Sequence, residues 1–225
     1  MDWAALAFGF HRLEENPELK LSSPQAGKLV LLMETLKNTV QSSNSVKTAL
    51  NQSLNEAQLN YLQELAAKDE LNPEKFSAEL LNRNPKTALI DLVEAKLAPK
   101  AKGLSFQAPK SRSNAKEINV LSDLLVGLLF LEASPRLRLS PQQAKNVCSL
   151  LEKIRPQIAR EYQLARKMEN ILTTGQKQYL YSIQEDLIKA TDELPSTPLP
   201  GKDNWETQAE LPLINQTLNF LKQKS

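Results

Sequence analysis

The sequence predicts an all-α protein built from tandem duplicated helical-hairpin or bundle units, with no β-sheet. Three observations carry this. Leu, Ala, Gln, Lys, Glu and Asn dominate the 225 residues, while only 6 are Gly and 5% are aromatic, a composition that favours helix over strand. Apolar residues recur at steps of three and four, the spacing of an amphipathic helix. Most tellingly, residues from about Leu6 to Leu65 reappear without a gap from Leu124 to Ile183, at a constant offset of 118 positions.

The ungapped match pairs Gly9 with Gly127, Leu13 with Leu131, Glu14 with Glu132, Pro17 with Pro135, Gln25 with Gln143, Gln58 with Gln176 and Leu62 with Leu180. Between these identities apolar positions exchange among themselves: Leu29 for Val147, Met33 for Leu151, Leu36 for Ile154, Val40 for Ile158, Leu50 for Met168. A duplicated core explains that pattern.

Taken in order, each copy opens with a helix, about Trp3 to Glu15 and Leu121 to Glu132. The Gly9/Gly127 pair marks a point where two helices approach closely. Ala26, Leu29, Met33, Leu36 and Val40, repeated as Ala144, Val147, Leu151, Ile154 and Ile158, form the stripe of a second helix. Segments around Val46 to Leu54 and Leu164 to Ile171 follow, then further helices from about Glu56 to Lys68 and Thr174 to Ala190. Pro156 stands where the first copy has Asn38, and it is expected to end or kink its helix. The polar, Ser-rich run from Thr39 to Ser45 predicts a break at a similar place in the first copy.

Helix starts are written plainly. Four times the chain reads Leu, a capping residue, two spacers and Gln: Leu21 to Gln25, Leu54 to Gln58, Leu139 to Gln143 and Leu172 to Gln176. Ser22, Asn55, Ser140 and Thr173 are predicted N-caps, each accepting from the amide of the N3 residue. Gln25, Gln58, Gln143 and Gln176 are predicted to reach back to the N-cap amide and close a capping box.

Between the copies, Asn72-Pro73 and Asn84-Pro85 predict two shorter helices, about Pro73 to Arg83 and Pro85 to Leu97. From Ala98 to Lys116 the periodicity vanishes, and Lys100, Lys102, Lys110, Arg112 and Lys116 occur there without an acidic residue. A second irregular stretch, Thr191 to Asp203, carries three prolines and precedes a terminal helix of about Pro212 to Lys222. Pro212-Leu213-Ile214-Asn215 echoes Ala88-Leu89-Ile90-Asp91, which would lengthen the duplicated unit. The resulting division is a first repeat unit over 1–97, a basic flexible linker over 98–116, a second repeat unit over 117–190, and a Pro-rich segment with a C-terminal helix over 191–225.

Bulk numbers exclude several functional classes. Twenty-eight Lys and Arg nearly balance 26 Asp and Glu, so a net charge of +2 gives no strong global field toward nucleic acid or anionic membrane. Cys148 is the only cysteine, which rules out an intramolecular disulfide or a cysteine cluster for zinc; opposite Val30, it reads as a small core residue. The N-terminal run lacks a basic n-region and a small-residue cleavage site, and no apolar run approaches the ~18 residues of a membrane span. A soluble cytoplasmic protein is expected, periplasmic only if a leader had been removed.

The chemistry-bearing residues do not assemble a constellation. His11 is the only histidine and its counterpart is Leu129, so it reads as a helix-surface or partly buried imidazole rather than half of a dyad. Glu14 and Glu132 recur, and each is expected to bond a loop amide or to meet Lys20 or Arg138. No catalytic residue, cofactor-binding residue, cofactor or metal site is predicted. The five basic residues of the linker, with Phe106 as the only stacking surface, are the candidate contacts for a partner or for nucleic acid.

Two resemblances rest on these motifs. Gly9, Leu13-Glu14, the capped segment Ser22 to Ala26 and the second cap Leu54 to Gln58 resemble a group of uncharacterised bacterial helical repeat proteins, over about sixty residues of each copy. More weakly, the four Leu-cap-x-x-Gln motifs resemble the LTxxQ signature of the Spy and CpxP type of helical chaperones and stress sensors, which Leu172-Thr173-Thr174-Gly175-Gln176 matches literally. The first implies a helical scaffold; the second implies an ATP-independent chaperone or stress-response regulator. The leading functional expectation is a non-enzymatic helical protein–protein interaction or scaffold protein, whose partner is another protein or a second copy. The alternatives are the chaperone class and nucleic-acid binding through the linker.

Overall fold

In a computed structural model the chain is described over residues 3–71, 85–108, 117–118, 120–184, 186–187 and 210–225, and those residues form eight α-helices and no strand. They are α1 (Trp3–Leu13), α2 (Ser23–Gln52), α3 (Glu56–Ala67), α4 (Pro85–Ala101), α5 (Leu121–Ala133), α6 (Pro141–Ile171), α7 (Thr174–Ser182) and α8 (Glu210–Lys224). The segment expected as a helix over Pro73 to Arg83 and the Pro-rich stretch over Thr191 to Asp203 lie outside the described residues.

The two compact units do not follow the sequence repeats. Unit 1 combines Met1–Ser42 with Ala159–Ser225, and unit 2 is Ser43–Ile158. Each unit therefore takes the first half of one copy and the second half of the other, and the division into 1–97 and 117–190 is replaced by this interleaved one. In unit 1, α1 packs on α7 and α8; in unit 2, the corresponding α5 packs on α3 and α4.

Both halves of α2 and α6 are helical where breaks were expected. In α2 the hydroxyls of Thr35, Thr39 and Ser42 donate to the carbonyls of Leu31, Thr35 and Asn38, one turn back, at 3.0–3.1 Å. The polar run thus satisfies itself inside the helix. In α6 Pro156 is exposed and the helix continues through it. Its missing N–H and ring clash cost about 3 kcal/mol; burial of Ile154 and Ile158 on one side, and of Leu164 and Met168 on the other, outweighs that at about 2 kcal/mol for each side chain.

The cores are built alike. In unit 1, Leu6, Phe10 and Leu13 of α1 meet Leu29, Met33 and Leu36 of α2, Met168 of α6, Leu180 of α7 and Ile214 of α8 in one buried cluster. Unit 2 sets Leu124, Leu128 and Leu131 of α5 against Val147, Leu151 and Ile154 of α6, Leu50 of α2, Leu62 of α3 and Ile90 of α4. A Cβ added at Gly9 would lie 2.9 Å from Leu180 Cδ2, and one at Gly127 would lie 2.8 Å from Leu62 Cδ2. At both points a side chain would meet the methyls of a buried leucine, which would have to shift to admit it.

Two helix ends differ from expectation. Residues 98–101, read as the start of the linker, are the last turn of α4, because the buried stripe Leu89, Ile90, Val93 and Leu97 runs on to Ala101. Gly103, at φ 80°, follows that turn. At the end of α3, Asp69 takes φ 57° while its amide donates to Ala66 O at 3.0 Å and the Glu70 amide donates to Leu65 O at 2.9 Å. That double bond is a Schellman stop with an aspartate where glycine is favoured.

Candidate functional site

Each unit holds one polar junction where two capping boxes meet. In unit 2, the Asn55 amide donates to Gln58 Oε1 at 2.9 Å, and the Gln58 amide donates to Asn55 Oδ1 at 3.0 Å. The Ser140 amide donates to Gln143 Oε1 at 3.0 Å, with the Gln143 amide returning to Ser140 Oγ at 3.2 Å. The remaining amide hydrogens tie the boxes together. Gln143 Nε2 donates to Gln58 Oε1 at 2.8 Å and to Ser53 O at 3.0 Å, while Gln58 Nε2 donates to Leu137 O at 2.9 Å.

Unit 1 makes the same set at positions offset by 118. The Ser22 amide donates to Gln25 Oε1 at 3.0 Å, and the Thr173 amide donates to Gln176 Oε1 at 2.8 Å. Their N3 amides return to Ser22 Oγ at 3.4 Å and Thr173 Oγ1 at 3.3 Å. Gln25 Nε2 donates to Gln176 Oε1 at 2.9 Å and Ile171 O at 3.0 Å; Gln176 Nε2 donates to Leu19 O at 2.9 Å. With Gln58 and Gln176 buried and Gln25 and Gln143 half-buried, and the amide oxygen and nitrogen of each engaged, the junctions specify one register, since a slip would strand a desolvated donor or acceptor.

A carboxylate stands beside each junction. Glu132 Oε1 accepts from the Leu139 amide at 3.0 Å and its Oε2 meets Lys100 Nζ at 2.5 Å. Glu14 Oε1 accepts from the Leu21 amide at 3.2 Å and its Oε2 meets Lys224 Nζ at 2.5 Å. The loop amides match expectation; the cations do not, for they are Lys100 and Lys224 rather than Arg138 and Lys20. Lys100 and Lys224 end α4 and α8, whose buried Leu89/Leu213, Ile90/Ile214 and Leu97/Leu221 match at an offset of 124.

Of the basic candidates, Lys100 is thus paired with Glu132. Lys102 is exposed beyond α4, and Lys110, Arg112 and Lys116 lie outside the described residues. The stretch after Gly103 is bonded to α6: Gln142 Nε2 donates to Ser105 O at 3.0 Å, the Gln107 amide donates to Asn146 Oδ1 at 3.0 Å, and Lys153 Nζ lies 4.6 Å from the Phe106 ring centre. Phe106 is thus already stacked under a lysine, where the sequence offered it as a surface for bases.

Away from the junctions, burial perturbs three further titratable groups. Burial pushes His11 below the usual imidazole range, with Glu14 acting in the opposite sense, and its ring lies 4.5 Å from that of Phe220. Burial also raises the Cys148 thiol, with Glu94 and Glu152 adding to the effect, so the sulfur is held in its unreactive form. Asp123, in the first turn of α5, is pushed up to about 6 by burial, with Asp69 adding to the rise and a hydrogen bond from Ser122 opposing it. Among the described residues no group of three or more His, Cys, Asp or Glu is placed to hold a metal ion. Nor is any helix among them long and apolar enough to cross a membrane.

Two features went unread in the sequence. Asn51, 1% exposed, grips the chain ahead of α5: its Nδ2 donates to Ile118 O and its Oδ1 accepts from the Ile118 amide, both at 2.9 Å. In unit 1 the face that carries the counterpart of Asn51 shows Tyr162, Arg166, Glu169 and Tyr181. There Arg166 Nη2 and Nε donate to Tyr162 Oη at 2.7 and 3.1 Å, and the Tyr181 hydroxyl donates to Glu169. The repeat alignment held the signal, since it sets these four residues opposite Asn44, Thr48, Asn51 and Gln63. Compared with known proteins, the chain matches no family model, no curated protein and no solved structure.

Proposed function

We propose that this is a non-enzymatic helical interaction or scaffold protein that engages another protein. The observation that carries the reading is how the repeated polar residues are spent. Glu14, Glu132 and the four box glutamines all bond within their own units, so what the duplication multiplies is a lock for helices. Against that, the exposed large side chains include Tyr162 and Tyr181 beside an arginine, residue types enriched at the centres of protein interfaces.

Nucleic-acid binding is the weaker reading, because Lys100 is committed to Glu132 and Phe106 to Lys153. The test is size-exclusion chromatography with light scattering, combined with tagged purification from the native host. A stoichiometric protein partner, or a defined homo-oligomer, is expected. A monomer that retains nothing would overturn the proposal, and suppression of client aggregation at near-stoichiometric ratio would move it to the chaperone class.

A further inference from the structure

We infer that the face of α6 and α7 formed by Tyr162, Arg166, Glu169 and Tyr181 is a docking surface for an extended segment of a partner protein, one that carries an acidic residue next to a branched apolar one. The inference rests on the reading as an interaction protein and gives that reading a place and a ligand chemistry.

The two units correspond position by position at an offset of 118. Their cores agree: Leu50 and Met168, Leu54 and Leu172, Gln58 and Gln176, Leu62 and Leu180 are buried in both. On one face they part. Asn44 and Asn51 of unit 2 are 7% and 1% exposed, whereas their unit 1 counterparts are Tyr162, 45% exposed, and the half-buried Glu169. Nearby, Gln63 is half-buried while its counterpart Tyr181 is 49% exposed.

Unit 2 seats Glu117 and Ile118, just ahead of α5, on that face. Asn51 reads both backbone groups of Ile118, Ile118 is buried in the core cluster, and Glu117 lies within the field of Lys47. The acid-then-isoleucine segment is thus recognised through its backbone, one apolar side chain and one charge.

Unit 1 presents the same framework with changed chemistry. Glu169 stands where Asn51 does and accepts but does not donate, so it suits a segment's N–H. Arg166, at the place of Thr48, supplies donors for a carbonyl or a carboxylate, as a guanidinium carries five N–H groups and turns two of them to Tyr162 Oη. Tyr162 and Tyr181 offer rigid, amphipathic contact area on either side. Arg166, with Glu169 in its field, keeps N–H groups that Tyr162 does not use, and these suit an acidic residue of the segment, as Lys47 faces one in unit 2.

A fluorescent acetyl-Glu-Ile-Asn-Val-Leu-amide peptide, the sequence of residues 117–121, serves as the probe, titrated against the full chain by anisotropy at low salt. Saturable binding below about 1 mM is expected, weakened at least about tenfold by Tyr162→Ala, with Tyr162→Asn as the alternative should the alanine variant melt early. Arg166→Glu should abolish binding of this peptide and favour the same peptide with Lys for Glu. No saturation, equal affinity for the parent and the Tyr162 and Arg166 variants, or concentration-dependent self-association through this face would overturn the inference. A host partner retained equally by Arg166→Glu would overturn the docking face while leaving the interaction function intact; no partner and no peptide binding would remove both.

Discussion

Gln143 donates its side-chain amide to Gln58 Oε1 at 2.8 Å, and through that bond the first turns of α6 and α3 are fastened to each other. Gln58 is 1% exposed and its side chain serves three backbone or amide partners at once. Gln58→Ala is expected to cost about 2–4 kcal/mol, because it strands the Asn55 amide, the Leu137 carbonyl and the Gln143 amide. Urea denaturation would measure it, and a cost under ~1 kcal/mol would show that the junction is not a lock.

Lys100 and Lys224 make the same pair in different surroundings. The Glu132 side chain is 3% exposed and Glu14 19%. Lys100→Met, leaving a buried carboxylate unpaired, should cost about 2–3 kcal/mol; Lys224→Met should cost about 1 kcal/mol. Equal losses would contradict the difference in burial. The same experiment separates fold from binding, since a charge-neutral Lys100 would lower stability even where no nucleic acid is present.

Gly127→Ala gains about 1 kcal/mol of helix propensity but sets a Cβ 2.8 and 3.0 Å from the two Leu62 methyls. Leu62 is fully buried, so its displacement costs more than the gain and a net loss of about 1 kcal/mol is expected. Combining it with Leu62→Val should recover part of that loss in a double-mutant cycle. A stabilising Gly127→Ala would mean that the close approach is not maintained in solution.

Thr217 sits fully buried in α8 with its hydroxyl unpartnered, at the place that Val93 holds in α4. Thr217→Val should therefore raise stability by about 1 kcal/mol, as the isosteric methyl removes a desolvated hydroxyl. Differential scanning calorimetry would show the melting point rising; a fall would point to a partner for that hydroxyl.

Asp123 predicts a pH dependence. Its pKa in the folded protein, about 6, lies above the usual carboxylate value, so the folded state holds the proton more tightly and Asp123 stabilises the fold only while protonated. That contribution is complete below about pH 4 and is lost as pH rises through 6. Asp123→Asn should thus stabilise the protein at pH 8 and not at pH 4. Asp69→Gly should add about 0.5–1 kcal/mol by relieving the φ 57° strain, and should also lower the Asp123 pKa by removing a like charge. Stability of both variants across pH 4–8 checks the pair.

Local features were legible in the sequence and long-range pairing was not. Capping boxes and apolar stripes are set within a few residues, and each stands in the structure at its place; the two glycines are legible as a matched pair, but their partners Leu180 and Leu62 are not. The interleaving was hidden because two matching sequence segments make alternatives equivalent: the pattern that lets Gly9 face Leu180 would serve Leu62 equally well. Pro156 and the Thr39 to Ser45 run misled because local propensity gave way to burial on both sides. Pro99 and Gly103 beside Lys100 carry the signature of a tether, while the apolar stripe that carries the helix to Ala101 lies upstream. Tyr162 and Tyr181 carried no motif, and only a position-by-position contrast between the units brings them out.

Interleaving also sets a timetable for synthesis. Unit 2, residues 43–158, is contiguous and has all its parts once the ribosome has passed Ile158. Unit 1 is not: its first 42 residues emerge earliest and find their partners, from Ala159 onward, last. Until they arrive, the surface of α1 and α2 that Met168, Leu180 and Ile214 cover in the folded unit stays open to solvent.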